Sequence, residues 1–332
     1  MFGNSRLVIT NLSQSCGSAY VDVVIATWNG AATIERAVQS ALSDDHVSQV
    51  IVIDDGSTDG TYAVVEAIKD RIGARIVLQR LGQNKGPSVA RNRGLELSSA
   101  PWVAVLDADD YFCPGRIKAL LDASEGADFV ADDQIQVKQG QDPDLFGDAL
   151  IGHDTVMTLD FATFVANNIS RGGRLRKEFG FLKPIMRRSF LDTNQLRYPE
   201  QLRLGEDFAL YARALGAGAV FRVIPARTYV SVIRADSLSG KHSKHDLECL
   251  RDSARSLQTL PTLSKLDKRL ARKHFESIDA RVQWLNVIDA VKARSLAAFL
   301  APFFLRWTTS VYLMRCLLEQ LMIRSKRSLG LS

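Results

Sequence analysis

The sequence predicts an α/β fold with a mostly parallel central sheet flanked by helices, followed by a helical C-terminal extension. Apolar, β-branched runs alternate with helical patterns from residue 21 to residue 106. The runs are continuous rather than interrupted by polar residues, which is typical of parallel strands covered on both faces. After about Ser243 the apolar residues recur only with helical spacing.

The elements follow one another regularly in the first third of the chain. Strands are predicted at 21–26, 50–53, 75–78 and 102–106, and helices at 31–42, 60–72 and 87–98. Pro87 would occupy the first position of the third helix, where its missing N–H is not needed. No GxGxxG follows the first strand, which argues against a dinucleotide-dependent dehydrogenase.

The periodicity weakens beyond Phe129. Residues 136–155 are predicted to form a polar connecting loop. Regular patterning returns at 161–168 and at 205–216, the latter with helical spacing, and two separate strand-like runs lie at 220–224 and 228–233. These later elements are predicted to complete the α/β part of the chain before the helical extension begins.

The composition excludes several classes of protein. Of the 332 residues, 46% are hydrophobic and 24% charged, as expected of a folded chain, and the net charge of +5 is not concentrated in a block that would indicate nucleic-acid binding. The four cysteines form no CxxC pair, which argues against a structural zinc site and a disulfide framework. The N-terminal segment lacks the apolar core of a signal peptide, and no apolar run reaches about 20 residues. A cytoplasmic location is therefore expected.

Acidic residues follow two of the predicted strands directly. Asp54 and Asp55 come after the strand at 50–53, and Asp107, Asp109 and Asp110 come after the strand at 102–106. The C-terminal ends of parallel strands lie along one edge of a sheet, so both clusters should face one cleft. Converging carboxylates stay ionised most easily beside a cation, and oxygen ligands favour Mg²⁺ or Mn²⁺. The alternative is that these residues are only good turn formers.

A third acidic pair, Glu206-Asp207, is predicted to lie in the first turn of a helix between Gly205 and Gly216. Carboxylates at this position interact favourably with the helix dipole, and that alone could explain both residues. The same dipole keeps a carboxylate ionised, which suits a general base that must accept a proton. The position of the pair leaves both interpretations open.

One further segment, residues 84–92, has a glycine before a helix that starts with proline, and Arg91 lies one turn into that helix. The exposed backbone N–H groups of such a helix start, with an arginine nearby, can bind phosphate oxygens. A solvated surface helix would have the same sequence features.

Taken together, these motifs resemble those of the family 2 glycosyltransferases, which have the GT-A fold. The resemblance covers about Val21 to Lys241 and depends on the order and spacing of five short motifs. They are VIATWN at 24–29, VIDDGSTD at 52–59, NKG at 84–86 with ARNRG at 90–94, LDADD at 106–110, and GED at 205–207. Small departures are Trp28, where tyrosine or phenylalanine is commoner, and Ala26, where proline is frequent.

The resemblance implies a role for individual residues. Asp207 matches the catalytic base, and Asp109, the second acid of the D-x-D element, matches the direct metal ligand. Thr27 would contact the uridine, Asp55 would accept a hydrogen bond from the uracil N–H, and Asp107 would support the metal or the ribose. The nucleotide-sugar site that the resemblance implies comprises Thr27, Asn29, Asp55, Lys85, Arg91, Asp107 and Glu206.

The same resemblance implies how the chain is divided. Residues 1–19 would form an N-terminal extension, residues 20–242 a catalytic domain and residues 243–332 a helical C-terminal region. Within the catalytic domain, residues 20–112 would bind the nucleotide and residues 113–242 would face the acceptor.

The sequence around Glu206 and residues 229–239 is similar to that of bacterial exopolysaccharide glucosyltransferases of the succinoglycan type. This likeness implies UDP-glucose as the donor and a saccharide, such as a lipid-linked oligosaccharide, as the acceptor. It also suggests that Arg234 and Ser237 reach the diphosphate and that His242 is an additional metal ligand. With a single base and no protein nucleophile, the expected reaction is an inverting displacement that depends on Mg²⁺ or Mn²⁺.

Two other functions remain open at this point. A metal-dependent nucleotidyltransferase would also use carboxylates at strand ends, but it would normally have a glycine-rich basic loop after the first strand, and residues 27–30 are not one. A catalytically idle protein with the same fold could act as a scaffold for polysaccharide assembly. Such a scaffold would be free to lose Asp109 or Asp207, and this chain has both.

The C-terminal extension contains an apolar stripe with basic residues around it. The stripe consists of Leu296, Phe299, Phe303, Trp307, Val311, Met314, Leu318 and Leu321, and the basic residues are Lys292, Arg294, Arg306, Arg315, Arg324, Lys326 and Arg327. Pro302 is expected to start or kink the helix. This pattern is typical of a helix that lies on an anionic membrane surface, here the inner face of a bacterial membrane, or of a helix packed on protein.

Overall fold

A computed structural model describes residues 20–143, 147–169, 178–233 and 243–328 of the chain. Its centre is a mixed ten-stranded sheet in the order β3-β2-β1-β4-β9-β6-β10-β5, with β7 paired to β6 and β8 paired to β10. The strands are β1 Val21–Thr27, β2 Val47–Asp54, β3 Ile76–Arg80, β4 Trp102–Val105, β5 Tyr111–Phe112, β6 Phe129–Lys138, β7 Asp148–Ala149, β8 Met157–Leu159, β9 Ile185–Arg187 and β10 Phe221–Ile233.

Helices cover both faces of the sheet and make up the C-terminal part of the described chain. They are α1 Ile34–Leu42, α2 Thr61–Ile72, α3 Pro87–Leu97, α4 Arg116–Asp122, α5 Phe161–Asn167, α6 Arg188–Thr193, α7 Glu206–Gly216, α8 Lys244–Leu257, α9 Lys265–Lys292, α10 Leu296–Leu300 and α11 Trp307–Ser328. The predicted α/β fold is confirmed, and the first three helices and four strands lie within about three residues of their predicted bounds.

The first four strands place the acidic clusters on one edge of the sheet. Strand β1 pairs in parallel with β2 and β4, so that Thr27 lies opposite Asp54 and Val24 opposite Val105. The interior of these strands is almost completely buried, which explains their continuous apolar sequences. The C-terminal ends of β1, β2 and β4 are therefore neighbours, as the strand order of a parallel sheet requires.

The two strand-like runs at 220–224 and 228–233 belong to a single strand, β10. Its pairing with β6 shifts register between Ile224 and Arg227 and again between Arg227 and Tyr229. Pro225, which cannot donate a ladder hydrogen bond, lies inside the first irregularity. The interruption in the sequence pattern marks a bulge in one strand, so the prediction of two strands was wrong.

The loop predicted at 136–155 was also wrong in part. Strand β6 continues to Lys138, and Asp148–Ala149 pairs with it as β7. Both segments are rich in polar residues, and their hydrophobic residues alternate too weakly for a strand to be recognised from the sequence.

Helix α3 lies unusually close to the sheet at Gly94. A Cβ atom at this position would overlap Cγ1 of Val24 on β1. Only glycine therefore allows the helix to pack at this distance, which explains the glycine in the ARNRG motif. This close approach sets the distance between the sheet and α3, the helix that carries Arg91.

The C-terminal helices pack on the α/β part of the molecule. Helices α8 and α9 each begin with a capping box, formed by Ser243 with Asp246 and by Ser264 with Asp267. Leu257 and Ala271 belong to the same apolar core as residues of the sheet. The domain boundaries given above remain a prediction. Within the described residues, no helix has the length and apolar character needed to cross a bilayer.

Candidate active site at the C-terminal edge of the sheet

The turn after β4 carries the D-x-D residues and is held in place by hydrogen bonds to Tyr229 of β10. The Tyr229 hydroxyl donates to Asp110 Oδ2 at 2.7 Å and accepts from the Asp107 N–H at 3.2 Å, while the Val232 N–H donates to Asp110 Oδ1 at 2.8 Å. Burial, with the neighbouring charges of Asp107 and Asp109, raises the pKa of Asp110 to about 8. The hydrogen bonds of Asp110 therefore stabilise the conformation of this turn.

Arg91 joins the acidic turn to the start of α7. Its Nη2 donates to Asp107 Oδ1 at 2.7 Å, and its Nη1 donates to Glu206 Oε1 at 2.5 Å and to Asp207 Oδ1 at 3.1 Å. Burial opposes the charge of this arginine, but the carboxylates of Asp207, Asp107 and Glu206 outweigh it and raise its pKa. The guanidinium is therefore a permanent cation at the centre of the cluster.

Lys183 is a second buried cation in the cluster. Its Nζ lies 2.8 Å from Asp107 Oδ2 and 2.6 Å from Asp207 Oδ2. Burial disfavours the ammonium, yet the two carboxylates outweigh this effect and raise the pKa of Lys183. Although burial works the other way, Lys183 and Arg91 together lower the pKa of Asp107. The two cations and Asp107 and Asp207 form a closed ring of ion pairs.

A fully buried ion pair supports Lys183 from the sheet. Arg116 Nη2 donates to Asp132 Oδ1 at 2.7 Å and to the Lys183 carbonyl at 2.6 Å. Arg116 and Asp132 are each 1% exposed. Because a buried guanidinium with fixed partners has little freedom to move, it holds the backbone of Lys183 in place.

Helix α7 presents Glu206 and Asp207 from its first turn. Gly205 precedes the helix with φ +70°, and a Cβ there would lie 2.8 Å from Cδ1 of Leu250 in α8. This turn, which favours glycine, places both carboxylates at the positive end of the helix dipole. Glu206 is engaged by Arg91, whereas Asp207 is engaged by both cations.

Asp55 lies at the end of β2, beside the start of α3. Its two carboxylate oxygens accept the N–H groups of Lys85 and Gly86, each at 2.8 Å. Burial raises the pKa of Asp55, and these two hydrogen bonds partly oppose the rise. The side chain of Lys85 is exposed, and its contact with Asp55 is made by the backbone N–H. Through Gly86 and α3, Asp55 is tied to the helix that carries Arg91.

Thr27 and Asn29 lie at the end of β1. The Thr27 hydroxyl is buried and has no hydrogen-bond partner within the described residues. Asn29 has φ +52°, and its side-chain oxygen accepts from the Thr58 N–H at 2.9 Å, which ties the loop after β1 to the loop after β2. Asn29 therefore has a part in shaping this edge, and its contact with a nucleotide remains a prediction.

The donor set at the D-x-D turn suits a metal that arrives with phosphate. Asp109 is half-buried, and both oxygens of Asp107 are engaged by Arg91 and Lys183. The described residues contain no group of three or more acidic, histidine or cysteine side chains placed to hold a metal. Mg²⁺ commonly binds through one or two carboxylates together with substrate phosphates and water, so the residues fit such an ion.

The structure thus brings Arg91, Asp107, Glu206 and Asp207 into direct contact and places Asp55, Thr27 and Asn29 along the same edge. Arg234, Ser237 and His242 lie outside the described residues. Sequence reasoning missed Lys183. The available signal was a lysine inside the apolar run FGFLKPIM, since lysine is rarely buried unless it is paired.

Comparison with known proteins identifies the family of the chain. Residues 22–190 match the sequence profile of Glycosyl transferase family 2. The succinoglycan biosynthesis protein ExoU of Rhizobium meliloti is 42% identical over 269 residues, which is 81% of this chain and 78% of that protein.

Solved structures show the same fold. S. aureus TarS 1-349 in complex with UDP-GlcNAc has a TM-score of 0.61 at 18% identity, over 84% of this chain and 89% of that one. The mannosyltransferase PcManGT from Pyrobaculum calidifontis in complex with GDP-Man and Mn²⁺ has a TM-score of 0.54 at 18% identity, over 91% and 86%. The sequence match, the relative and the fold lead to one conclusion: the chain belongs to glycosyl transferase family 2 and is a glycosyltransferase.

Proposed function

We propose that the protein transfers glucose from UDP-glucose to a lipid-linked oligosaccharide during exopolysaccharide biosynthesis, with inversion at the anomeric carbon. The observation that supports this most is the contact of Arg91 with Asp107, Glu206 and Asp207, which joins three segments far apart in the sequence. The pathway follows the likeness to a succinoglycan biosynthesis protein. The donor follows the resemblance of the sequence around Glu206 and of residues 229–239 to succinoglycan-type glucosyltransferases. A solved structure of the same fold contains a UDP-sugar.

In this proposal the nucleotide lies along the ends of β1 and β2. Thr27, with its unpartnered buried hydroxyl, and Asp55 face the uridine. Asp55 uses one hydrogen bond on each oxygen, and an ionised carboxylate can accept about four, so it can still accept from the uracil N–H. The N–H groups of Lys85 and Gly86 donate to Asp55, so a diphosphate near the start of α3 would meet the exposed side chain of Lys85.

Asp109 is the proposed ligand of Mg²⁺ or Mn²⁺. When bound, such a cation neutralises the charge that develops on the UDP leaving group. Asp207 accepts the proton of the acceptor hydroxyl as it attacks from the face opposite UDP. Because one base acts and no protein nucleophile intervenes, an α-linked donor gives a β-linked product.

A panel of UDP-sugars tests the proposed reaction. The purified protein is expected to release UDP from UDP-glucose when Mg²⁺ or Mn²⁺ is present, and to do so at least about tenfold faster than from UDP-GlcNAc or UDP-galactose, because sugar-specific hydrogen bonds discriminate strongly. UDP release is measured by a coupled assay with and without EDTA. Equal release with all donors contradicts the glucose assignment, and no release from any donor contradicts the proposed function.

The proposed acceptor is attached to a lipid, and the outer face of α11 offers a surface for a membrane. On the inner face of this helix Leu313 and Thr309 are buried. On its outer face Trp307 is 82% exposed and Leu318 is 54% exposed. Exposed apolar residues continue through the preceding turn at Leu300 and Phe304, where Pro302 lies in a 3₁₀ turn between α10 and α11.

Some of the basic residues around this face form ion pairs within the protein, and others are exposed. Arg306 pairs with Asp279 at 2.6 Å, and Arg315 pairs with Glu319 at 2.8 Å, so both charges are partly balanced within the protein. Lys292 and Arg294 are exposed at the end of α9. We therefore infer that apolar contact contributes more than charge to membrane binding of this helix.

Flotation with lipid vesicles tests the membrane surface. The full chain is expected to float with phosphatidylcholine vesicles and more strongly when phosphatidylglycerol is added. Since burial of one leucine contributes about 1.5–3 kcal/mol, the combined changes Trp307→Ser and Leu318→Ser should weaken vesicle binding by about a hundredfold or more. The control is Leu266→Ser, a change of an exposed leucine on α9. Unchanged flotation of the double variant contradicts a membrane role for α11.

A further inference from the structure

Lys183 occupies a position in the site that the motifs of the chain do not reveal. It follows the 3₁₀ turn Phe179–Phe181 and precedes β9, so it reaches the cluster from the opposite side to Arg91 on α3. Its side chain is 6% exposed, and its Nζ contacts both Asp107 and Asp207 within 2.8 Å. A lysine this deeply buried loses its hydration and all of its rotamer freedom.

We propose that Lys183 is a positioning residue for the base Asp207, which it holds together with Arg91 in the orientation needed for transfer. This inference rests on the proposed function. Arg91 holds Oδ1 of Asp207 and Lys183 holds Oδ2, so the carboxylate cannot rotate about its Cβ–Cγ bond without losing one of the two contacts. The plane of the carboxylate is therefore fixed by two cations on different elements.

This arrangement holds Asp207 without blocking it. An ionised carboxylate has about four acceptor positions, and the two cations occupy two of them. The remaining lone pairs are available to an incoming hydroxyl, and the side chain is 9% exposed, so part of it reaches solvent. A carboxylate held in this way is already oriented before the acceptor arrives.

The groups that surround Lys183 support a positioning role. Besides Asp107 and Asp207, the charged and titratable groups around the cluster are Arg91 on α3, Glu206 and Tyr211 on α7, and Tyr198 in the segment before α7. The backbone of Lys183 is itself held by Arg116, which pairs with Asp132. The position of the ammonium is thus set by Arg116 and Asp132 as well as by the carboxylates that it contacts.

Lys183 also connects the base to the D-x-D turn. Its contact with Asp107 fixes the distance between Asp207 and the turn that carries the proposed metal ligand Asp109. The donor binds at this turn and the acceptor is deprotonated at Asp207. A lysine that contacts both Asp107 and Asp207 therefore helps to set the relative placement of the two reactants.

A double-mutant cycle tests the proposal, with kcat and donor KM measured from UDP release by the full-length protein. Lys183→Met is expected to lower kcat by about a hundredfold, which is the usual effect of misplacing a reacting group, and to leave the donor KM within about threefold. In the Asp207→Asn background the same change should lower the rate by no more than about threefold, because the base that Lys183 positions is already absent. The matched control is Lys118→Met, a change of an exposed lysine on α4.

Any one of three results from the variants would overturn the proposal. The first is a Lys183→Met protein that keeps kcat within about threefold of the wild type, and the second is a double variant in which the two losses multiply. If Lys183→Met does not yield folded protein, Lys183→Gln, which keeps one donor group, is used in the same cycle. Lys183→Arg retains the charge and should be at least about tenfold faster than Lys183→Met; equal rates would also overturn the proposal.

The outcome for Lys183 can be separated from the outcome for the function as a whole. A wild-type protein that releases no UDP from any UDP-sugar contradicts the proposed function and this inference with it. A wild-type protein that is active while Lys183→Met behaves like Lys118→Met contradicts the inference alone.

Discussion

Asp207→Asn is expected to lower kcat by about a thousandfold, because a positioned general base contributes 10²–10⁴ to the rate. Asparagine has the size of aspartate but cannot accept the proton of the acceptor hydroxyl. The fold should tolerate the change, since Lys183 keeps its contact with Asp107, and Arg91 keeps its contacts with Asp107 and Glu206. Binding of UDP-glucose, measured by calorimetry, should stay within about threefold of the wild type.

The control for this variant addresses the other explanation of an acid at a helix start. Asp267→Asn changes a half-buried aspartate in the first turn of α9, whose role is that of a capping box. If Asp207 served only the dipole of its helix, both variants would lose a small amount of stability and neither would lose activity. An Asp207→Asn protein that loses donor binding as much as turnover would remove Asp207 from the role of base.

The sheet edge could be predicted from the sequence because its residues follow strands with an unambiguous pattern. Asp55 and Asp107 come directly after apolar runs that can only be buried strands, and parallel strands end on the same side. Local rules were enough for these positions. The rules failed at β10, where a bulge around Pro225 made one strand look like two.

Lys183 could not be assigned in the same way, because its partners lie in other segments of the chain. Asp107 is 76 positions before it and Asp207 is 24 positions after it, and no local pattern connects a lysine to such partners. The ion pair between Arg116 and Asp132 could not be predicted either, because it depends on how α4 packs on the sheet. Buried ion pairs between distant segments are set by tertiary packing, and the most that the sequence offers is a charge in an apolar run.

The resemblance implied different roles for the two acids of the D-x-D element, and the structure adds the contacts that Asp107 makes. Its side chain is held by Arg91 and Lys183, and the backbone carbonyl of Asp109 accepts from Arg36. The first acid is therefore part of the ion-pair ring, and the second is the metal ligand that we propose. This difference leads to a prediction that separates the two residues.

Asp109→Ala is expected to abolish most of the effect of metal on donor binding. A cation that contacts phosphoryl oxygens is worth several kcal/mol, so Mn²⁺ should strengthen UDP binding to the wild type by on the order of a hundredfold. Without the Asp109 carboxylate this gain should fall below about threefold, while binding in EDTA stays as it was. The measured quantity is the ratio of the Kd for UDP without and with Mn²⁺, obtained by calorimetry.

Asp107→Asn is the matched comparison, because it changes the other acid of the same turn. Its carboxylate is committed to Arg91 and Lys183, so its loss should reduce turnover but leave the Kd ratio within about threefold of the wild type. The ratio is informative because a general loss of nucleotide affinity cancels from it. Asp109→Ala with a wild-type ratio, or Asp107→Asn without any gain from Mn²⁺, would show that the metal is held by the first acid of the turn and not by the second.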